Sequence, residues 1–348
     1  MEQSKRNGSV EWQSPSNIAL VKYWGKHGRQ LPSNPSISFT LSKALTTTQV
    51  KYKVLESTGL EPSLSFKFEG KEKPDFSKKI KTYLAHISED LPILKRLELD
   101  IESSNSFPHS SGIASSASSM SALALCLLSI DQEINNSANI DLTQASRLAR
   151  LGSGSASRSV FGPIAVWGSS ELNPACTNDY AIPYSENIAS VFKNFHDDIL
   201  IVSKTEKAVS SRAGHALMID NPYALNRFEQ AHRHLLEIVE AMEKGDIEKF
   251  GSIVEKEALT LHALMMASEP PYMLMEPNTI KIIQEIQRFR KENKIPVYFT
   301  LDAGPNVHML YPHQYEQAVN ELKSQIKPYC INNTIIEDRV GEGPKRLK

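Results

Sequence analysis

A run of small residues, FPHSSGIASSAS at residues 107–118, leads directly into an apolar helical pattern, and this junction limits the architectures open to the chain. Met120, Leu123, Ala124, Leu127 and Leu128 recur at the spacing that lays one apolar stripe against a core, which places the helix start near Ser115. The first amides of a helix lack partners inside it and carry partial positive charge, so small residues there let a polyphosphate come close. Ser115 and Ser116 add hydroxyls, and Ser116 is a candidate Mg²⁺ ligand beside such phosphates. A serine-rich helix cap accounts for the same residues. The closing glycine, lysine and hydroxyl residue of a Walker loop are missing.

Around this junction the first half carries short β-prone runs at residues 49–54 and 64–68, which predicts an α/β unit. The second half opens on a β-like run at 198–203 and continues with helical patterns at 227–244, 247–266 and 279–291. Two further β-like runs, 297–301 and 307–311, flank a tight turn. The turn region at 183–187 puts a boundary near 186–196, dividing the chain into units of 1–190 and 191–348. A chain of 348 residues with 40% hydrophobic content can bury two cores.

Net charge of −1 and the absence of a long basic run argue against nucleic acid or an anionic membrane as the main partner. The polar start of the chain lacks a secretory core, and the apolar stretch at 120–130 is too short to span a bilayer. Cys126, Cys176 and Cys330 are too widely spaced for a metal site and odd in number, so a cytoplasmic, reducing compartment is expected.

Four other segments can carry chemistry. In NIALVKYWGK (17–26), Lys22 and Lys26 either neutralise a diphosphate or are solvated strand lysines. In LPSNPSIS (31–38), Asn34 and Ser36 read as turn formers. In RLGSGSASRS (150–159), the planar fork of Arg158 suits a carboxylate or phosphate, unless the segment is a flexible surface loop with an unpaired arginine. In FTLDAGPNVHML (299–310), Asp302 ends an apolar strand, where it can orient a hydroxyl proton or bond its own turn. His232 and His234 read as exposed helix residues and His262 as a packed or hydrogen-bonded one; no zinc spacing is present.

With VSSRAGH (209–215), LDAGPN and VGEGP (340–344), these motifs resemble, in order and spacing from about residue 14 onward, the mevalonate diphosphate decarboxylase family of the GHMP kinase superfamily. The resemblance implies an α+β, two-domain fold with a ribosomal-S5-like amino-terminal domain, a ferredoxin-like carboxy-terminal domain and the site between them. It further implies ATP and Mg²⁺, a homodimer, and decarboxylation of mevalonate 5-diphosphate to isopentenyl diphosphate. By similarity, Asp302 is the catalytic carboxylate facing the C3 hydroxyl, Lys22 stands near the reacting centre and Arg158 holds the substrate carboxylate. Asn17 lies at the reacting end, while Tyr23, Lys26, Ser153 and Ser155 surround the diphosphate. Ser110, Ser111, Gly112, Ala114, Ser115 and Ser116 cover the ATP phosphates.

The chain departs from the family pattern at Pro108–Gly112, where Thr-Ala-Ala becomes His109, Ser110 and Ser111, and at His27, Gly28, Ser157 and Leu259. A monophosphate decarboxylase, a kinase that stops after phosphorylation and a non-catalytic metabolite sensor stay open as alternatives. The favoured chemistry requires Asp302, Arg158 and the start of the helix at Ser115 to face one cavity.

Overall fold

The computed structural model describes residues 6–56, 63–108, 113–136, 139–204 and 211–348, and in the short helix that begins at 211 the side chains from Ala213 onward. Two sheets organise it. Strands β1 (Asn7–Val21) and β2 (Ser36–Val54) form a long antiparallel pair. Strand β3 (Ser63–Phe68) is joined through helix α1 (Pro74–Ile87) to β4 (Leu97–Asn105), and the helix supplies the crossover that the parallel β3–β4 pairing requires. In β4 the sequence LELDIESSN alternates, burying Leu97, Leu99 and Ile101 and exposing Glu98, Asp100 and Glu102, so one face of this sheet meets the core.

Helix α2 (Ser115–Asn135) starts where the periodicity predicts. The predicted single stripe is too narrow, however: residues 123–130 are all buried, because α2 lies between β1 and β2 on one side and helix α3 (Leu142–Gly152) on another. Its interior serines are satisfied by the strands. Trp12 Nε1 donates to Ser129 Oγ at 2.8 Å, Ser14 Oγ to Ser121 Oγ at 2.7 Å, and the Thr46 and Ser118 hydroxyls lie 2.6 Å apart. Strand β5 (Ile164–Trp167) pairs with the start of β2 and carries β6 (Ala181–Pro183).

The second sheet contains β7 (Phe195–Leu200) and, beyond helices α4 (Ala224–Lys244), α5 (Ile247–Met266) and α6 (Pro277–Asn293), strands β8 (Tyr298–Leu301) and β9 (Val307–Pro312). The order is β8, β9, β7 and the short strand Ile335–Ile336, all antiparallel, with helix α7 (Glu316–Ile326) following β9. The strand expected at 198–203 instead begins at Phe195 and ends at Leu200. Its register against β9 runs out at Leu200, and the amides of Val202 and Ser203 donate to the Asn306 side chain at 2.7 and 3.0 Å rather than to a ladder. Helix α5 touches both β8 and β1, and Ile18, Phe39, Phe195, Phe250 and Val254 share one core across the two sheets. Among the described residues no helix is long and apolar enough to cross a membrane.

The chain closes back on β2. Between its pairings at Thr40 and Leu45, β2 leaves the ladder, and the Asp338 carboxylate collects the amides of Ser42, Lys43 and Ala44 at 2.9, 2.8 and 2.7 Å. The motif VGEGP follows, and a Cβ on Gly341 would lie 2.5 Å from the Cα of Ser42, so only glycine permits this approach. Replacing Asp338 with Ala removes the acceptor of the Lys43 and Ala44 amides, whereas the Ser42 amide keeps the Arg339 carbonyl at 2.9 Å. The expected loss is about 2 kcal/mol of folding stability in equilibrium denaturation.

Candidate active site

The site grows from an irregularity at the end of β1. Ala19 pairs with Ser38 and Val21 with Ile37, so Leu20 is an extra residue whose bulge re-aims the chain as it leaves the sheet at Lys22. The Lys22 side chain is 2% exposed; its Nζ donates to the Ala19 carbonyl at 2.6 Å and to Asp302 Oδ1 at 3.1 Å. Burial lowers the lysine pKa, and the Asp302 carboxylate opposes that shift.

Asp302 follows the last residue of β8, and both roles open to it in the sequence are realised by different atoms. Its backbone carbonyl accepts the Gly304 amide at 2.7 Å and lies 3.2 Å from His262 Nε2, closing the turn, while its carboxylate faces Lys22. His262 is thus a hydrogen-bonded residue, as expected.

Arg158 overturns the surface-loop alternative. It lies in the short 3-10 helix Gly154–Val160, is 2% exposed, and stacks at 5.9 Å on Trp167. Its Nε donates to Ser38 at 3.0 Å, one terminal nitrogen to Ser36 at 2.6 Å and the other to Asn17 Oδ1 at 3.2 Å. Ser36 is therefore a ligand of the guanidinium rather than a simple turn former. Of the five N–H groups, one on each terminal nitrogen is left over, a pair that can meet a carboxylate end-on. Among the described residues no carboxylate forms an ion pair with Arg158; its partners are neutral, and burial, opposed by Asp302 and Tyr23, pulls its pKa down to about 10.

Asn17 is held by its amide, which donates to Ser159 Oγ at 2.7 Å and the Ser155 carbonyl at 3.1 Å. Tyr23 packs between Trp167 and His215, with ring centroids 4.7 and 4.3 Å away. Its hydroxyl is buried without a hydrogen-bond partner among the described residues, and burial raises its pKa. Gly154 is required beneath it, since a Cβ there would lie 2.8 Å from the ring. Lys26 Nζ reaches Gln30 at 2.8 Å, and the Ser116 and Ser153 hydroxyls are 3.2 Å apart. Ala114 precedes α2 in the left-handed region, φ 43°.

These residues converge. One cavity of about 1340 Å³ is lined by every described candidate, from Asn17, Lys22, Tyr23 and Lys26 through Ala114, Ser115 and Ser116 to Ser153, Ser155, Arg158 and Asp302. Ser110, Ser111 and Gly112 lie outside the described residues, as do Val209 and Ser210. Six Lys or Arg side chains and two carboxylates, Asp75 and Asp302, line the cavity in a chain whose net charge is −1, so positive charge is concentrated where an anion would enter.

Three features escaped the sequence reading. One lobe of the cavity is walled by Phe66, Phe68, Ile80, Tyr83 and Leu123 from β3, α1 and α2; the alternation that put both phenylalanines on one face was the available signal. His215 also lines the cavity, accepting the Gly25 amide at Nδ1 (3.0 Å), and burial pushes its pKa down to about 3, with Lys26 adding to the shift. His234, expected on the surface, is buried with Nδ1 2.6 Å from Glu257, while His232 is exposed. Its spacing of two helical turns from Arg227 puts both on the face of α4 that packs on α5.

Comparison with known proteins gives consistent results. Residues 14–178 match the family model described as diphosphomevalonate decarboxylase-like N-terminal domain, and residues 198–346 that of the mevalonate 5-diphosphate decarboxylase C-terminal domain. The diphosphomevalonate decarboxylase of Candida albicans is 31% identical over 326 residues, covering 89% of this chain and 86% of its own. The mevalonate diphosphate decarboxylase structure from Staphylococcus aureus is 28% identical with a TM-score of 0.84, covering 98% of each chain. A structure of MDDEF in complex with MVAPP, AMPPCP and magnesium is 27% identical with a TM-score of 0.83, covering 98% of this chain and 99% of its own.

The neutral His215 makes a testable contribution to acid sensitivity. Its pKa falls from an ordinary 6.5 to about 3 on folding, so between those values the unfolded chain binds a proton that the folded one does not, and stability falls as pH drops through this window. His215→Gln is expected to remove a slope of about 1.4 kcal/mol per pH unit from the stability profile between pH 6 and 4, measured by denaturation at each pH.

Proposed function

The chain belongs to the diphosphomevalonate decarboxylase family, and from that premise we propose how its residues divide the work of converting mevalonate 5-diphosphate and ATP to isopentenyl diphosphate, ADP, phosphate and CO₂. The observation that carries the reading is the meeting of Asp302, Lys22 and the half-used fork of Arg158 in one cavity with the start of α2.

In this reading residues 1–190 hold the nucleotide and residues 191–348 present Asp302. The aromatic lobe around Phe66, Phe68 and Tyr83 takes the flat adenine base, and the amides and hydroxyls at Ser115 and Ser116 take the phosphates. Ser110, Ser111, Gly112 and Ala114 would complete that cradle. Mg²⁺ prefers oxygen ligands and keeps several waters, which fits a cavity offering the Ser116 hydroxyl; among the described residues the one His/Glu cluster able to hold an ion, His196 with His313 and Glu316, does not line it. Ser116 would thus hold Mg²⁺ together with the phosphates, where the ion supplies charge neutralisation during transfer.

Asp302 orients the C3 hydroxyl and receives its proton as the oxygen bonds to the γ-phosphorus and the bond to ADP breaks. Lys22 keeps the carboxylate aimed. When the C3–O bond then breaks, its electron pair leaves with phosphate, which takes the proton back from Asp302, and positive charge grows at C3 beside the restored carboxylate. The bond from C2 to the carboxylate breaks next, its pair forms the C2–C3 double bond, and CO₂ departs. The two remaining N–H groups of Arg158 fix that carboxylate in line. Tyr23, with an unmatched hydroxyl, Lys26, Ser153 and Ser155 receive the diphosphate, whose second phosphate these additional groups favour over a monophosphate. Asn17 orients the reacting end through Arg158.

We further propose a homodimer in the cytoplasm. Ile219, Tyr223 and Leu225 are 75, 56 and 77% exposed just before and within α4, and Leu259 and Met266 are exposed on neighbouring α5, a surface that a second copy would cover. The free thiols of Cys126, Cys176 and Cys330 suit a reducing compartment.

Asp302→Asn is expected to stay folded and lower turnover by at least about 10³-fold, with ADP and CO₂ falling together in a coupled assay. CO₂ release near the wild-type rate would reject the role. Leu225→Glu should halve the mass measured by light scattering without unfolding the chain; an unchanged mass would place the dimer contact elsewhere.

A further inference from the structure

Lys22 is gripped by its main chain as well as by its side chain. Its amide donates to Glu257 Oε2 at 2.8 Å, and its carbonyl accepts from an Arg227 terminal nitrogen at 2.9 Å and from Asn34 Nδ2 at 2.9 Å. Glu257 is fully buried on α5 and is itself clamped from α4: Arg227 donates to its two oxygens at 2.8 and 2.6 Å, and His234 Nδ1 lies 2.6 Å from Oε1. Although burial alone would raise the Glu257 pKa, Arg227 and His234 outweigh it and the pKa is lowered, so the group stays a carboxylate.

A buried ion cluster is a poor way to stabilise a core, because desolvation consumes most of the attraction and apolar residues of similar volume do as well. None of Glu257, Arg227, His234 or Asn34 lines the cavity. What the cluster does hold is the peptide of Lys22, whose ammonium touches Asp302. The grip also crosses the molecule, since Lys22 leaves β1 of the first sheet whereas α4 and α5 pack in the second half.

We infer that Glu257, braced by Arg227 and His234 and assisted by Asn34, is a positioning residue that fixes the Lys22 peptide so that the ammonium meets the Asp302 carboxylate. The inference rests on the proposed role of Lys22 and Asp302 in aiming the substrate hydroxyl. Displacement of a reacting group by about 1 Å costs on the order of 10²-fold in rate, so loosening this peptide is felt in turnover rather than in binding.

The test is a double-mutant cycle on the full chain with ATP, Mg²⁺ and mevalonate diphosphate, reading single-turnover rate and both KM values. Glu257→Gln and Asn34→Ala are each expected to lower kcat about tenfold or more with KM changed less than about threefold. Lys22→Met is expected to lose about 10²-fold, and adding either network variant to it should cost no more than a further threefold, because nothing is left to position. Losses that multiply, or folded single variants with wild-type kcat, would overturn the inference while leaving the Lys22 role intact. If Lys22→Met itself keeps full turnover, the functional reading of Lys22 fails and the inference with it. Should Glu257→Gln not fold, Asn34→Ala, which removes the neutral donor to the Lys22 carbonyl along with the Asn34 contacts to Pro35 and Trp24, carries the cycle alone.

Discussion

An ammonium and a carboxylate that stand 280 residues apart in sequence meet at 3.1 Å, and most of the architecture serves to make that meeting reproducible. Lys22 emerges from the end of β1 and Asp302 from the end of β8, so neither sheet alone can build the pair. Helix α5 spans the gap, touching β8 and β1, and the aromatic core of Phe39, Phe195 and Phe250 locks the sheets behind it. Close packing of this kind leaves few alternative arrangements of the two halves, which is the property a bimolecular phosphoryl transfer needs from its scaffold.

Arg158 illustrates a second constraint, that a buried cation can be satisfied without being neutralised. Its three contacts go to hydroxyls and an amide oxygen, each strong enough to orient the guanidinium but none carrying charge. An arginine paired with a carboxylate here would already be spent. The serines at 36 and 38 sit two apart on β2 and hence on one face, so the strand's own period delivers both hydroxyls to the same fork.

How much of this could be read from the residues depends on the range of the interaction. The start of α2 followed from apolar spacing and small residues, and α5 was placed to the residue, because both signals are local. The β1 bulge was invisible, since register belongs to a pair of strands. Arg158 could be named as an anion ligand but not shown to be buried, because its partners come from residues 17, 36 and 38. His234 was misplaced for the same reason: on its own helix it looks polar and solvated, and only Glu257 on the adjoining helix makes burial acceptable. The aromatic lobe failed differently. Phe66 and Phe68 were read as strand residues, and strand periodicity says which side they face without saying whether that side is filled.

The unliganded electrostatics of the cavity are unfavourable by construction. Lys22 and Arg158 are both buried, both have their pKa values lowered by desolvation, and both are supported chiefly by the same carboxylate, Asp302, while four further lysines and arginines face the space. Glu257 and Asp197 add support to Lys22, whereas the hydrogen-bond partners of Arg158 are all neutral. An anion with a carboxylate at one end and phosphates at the other would relieve this imbalance at both places, reinforcing the protonated form of Lys22 as it binds. Binding energy drawn from the phosphate end would then hold Lys22 charged at the reacting end, which connects substrate recognition to the charge that faces Asp302.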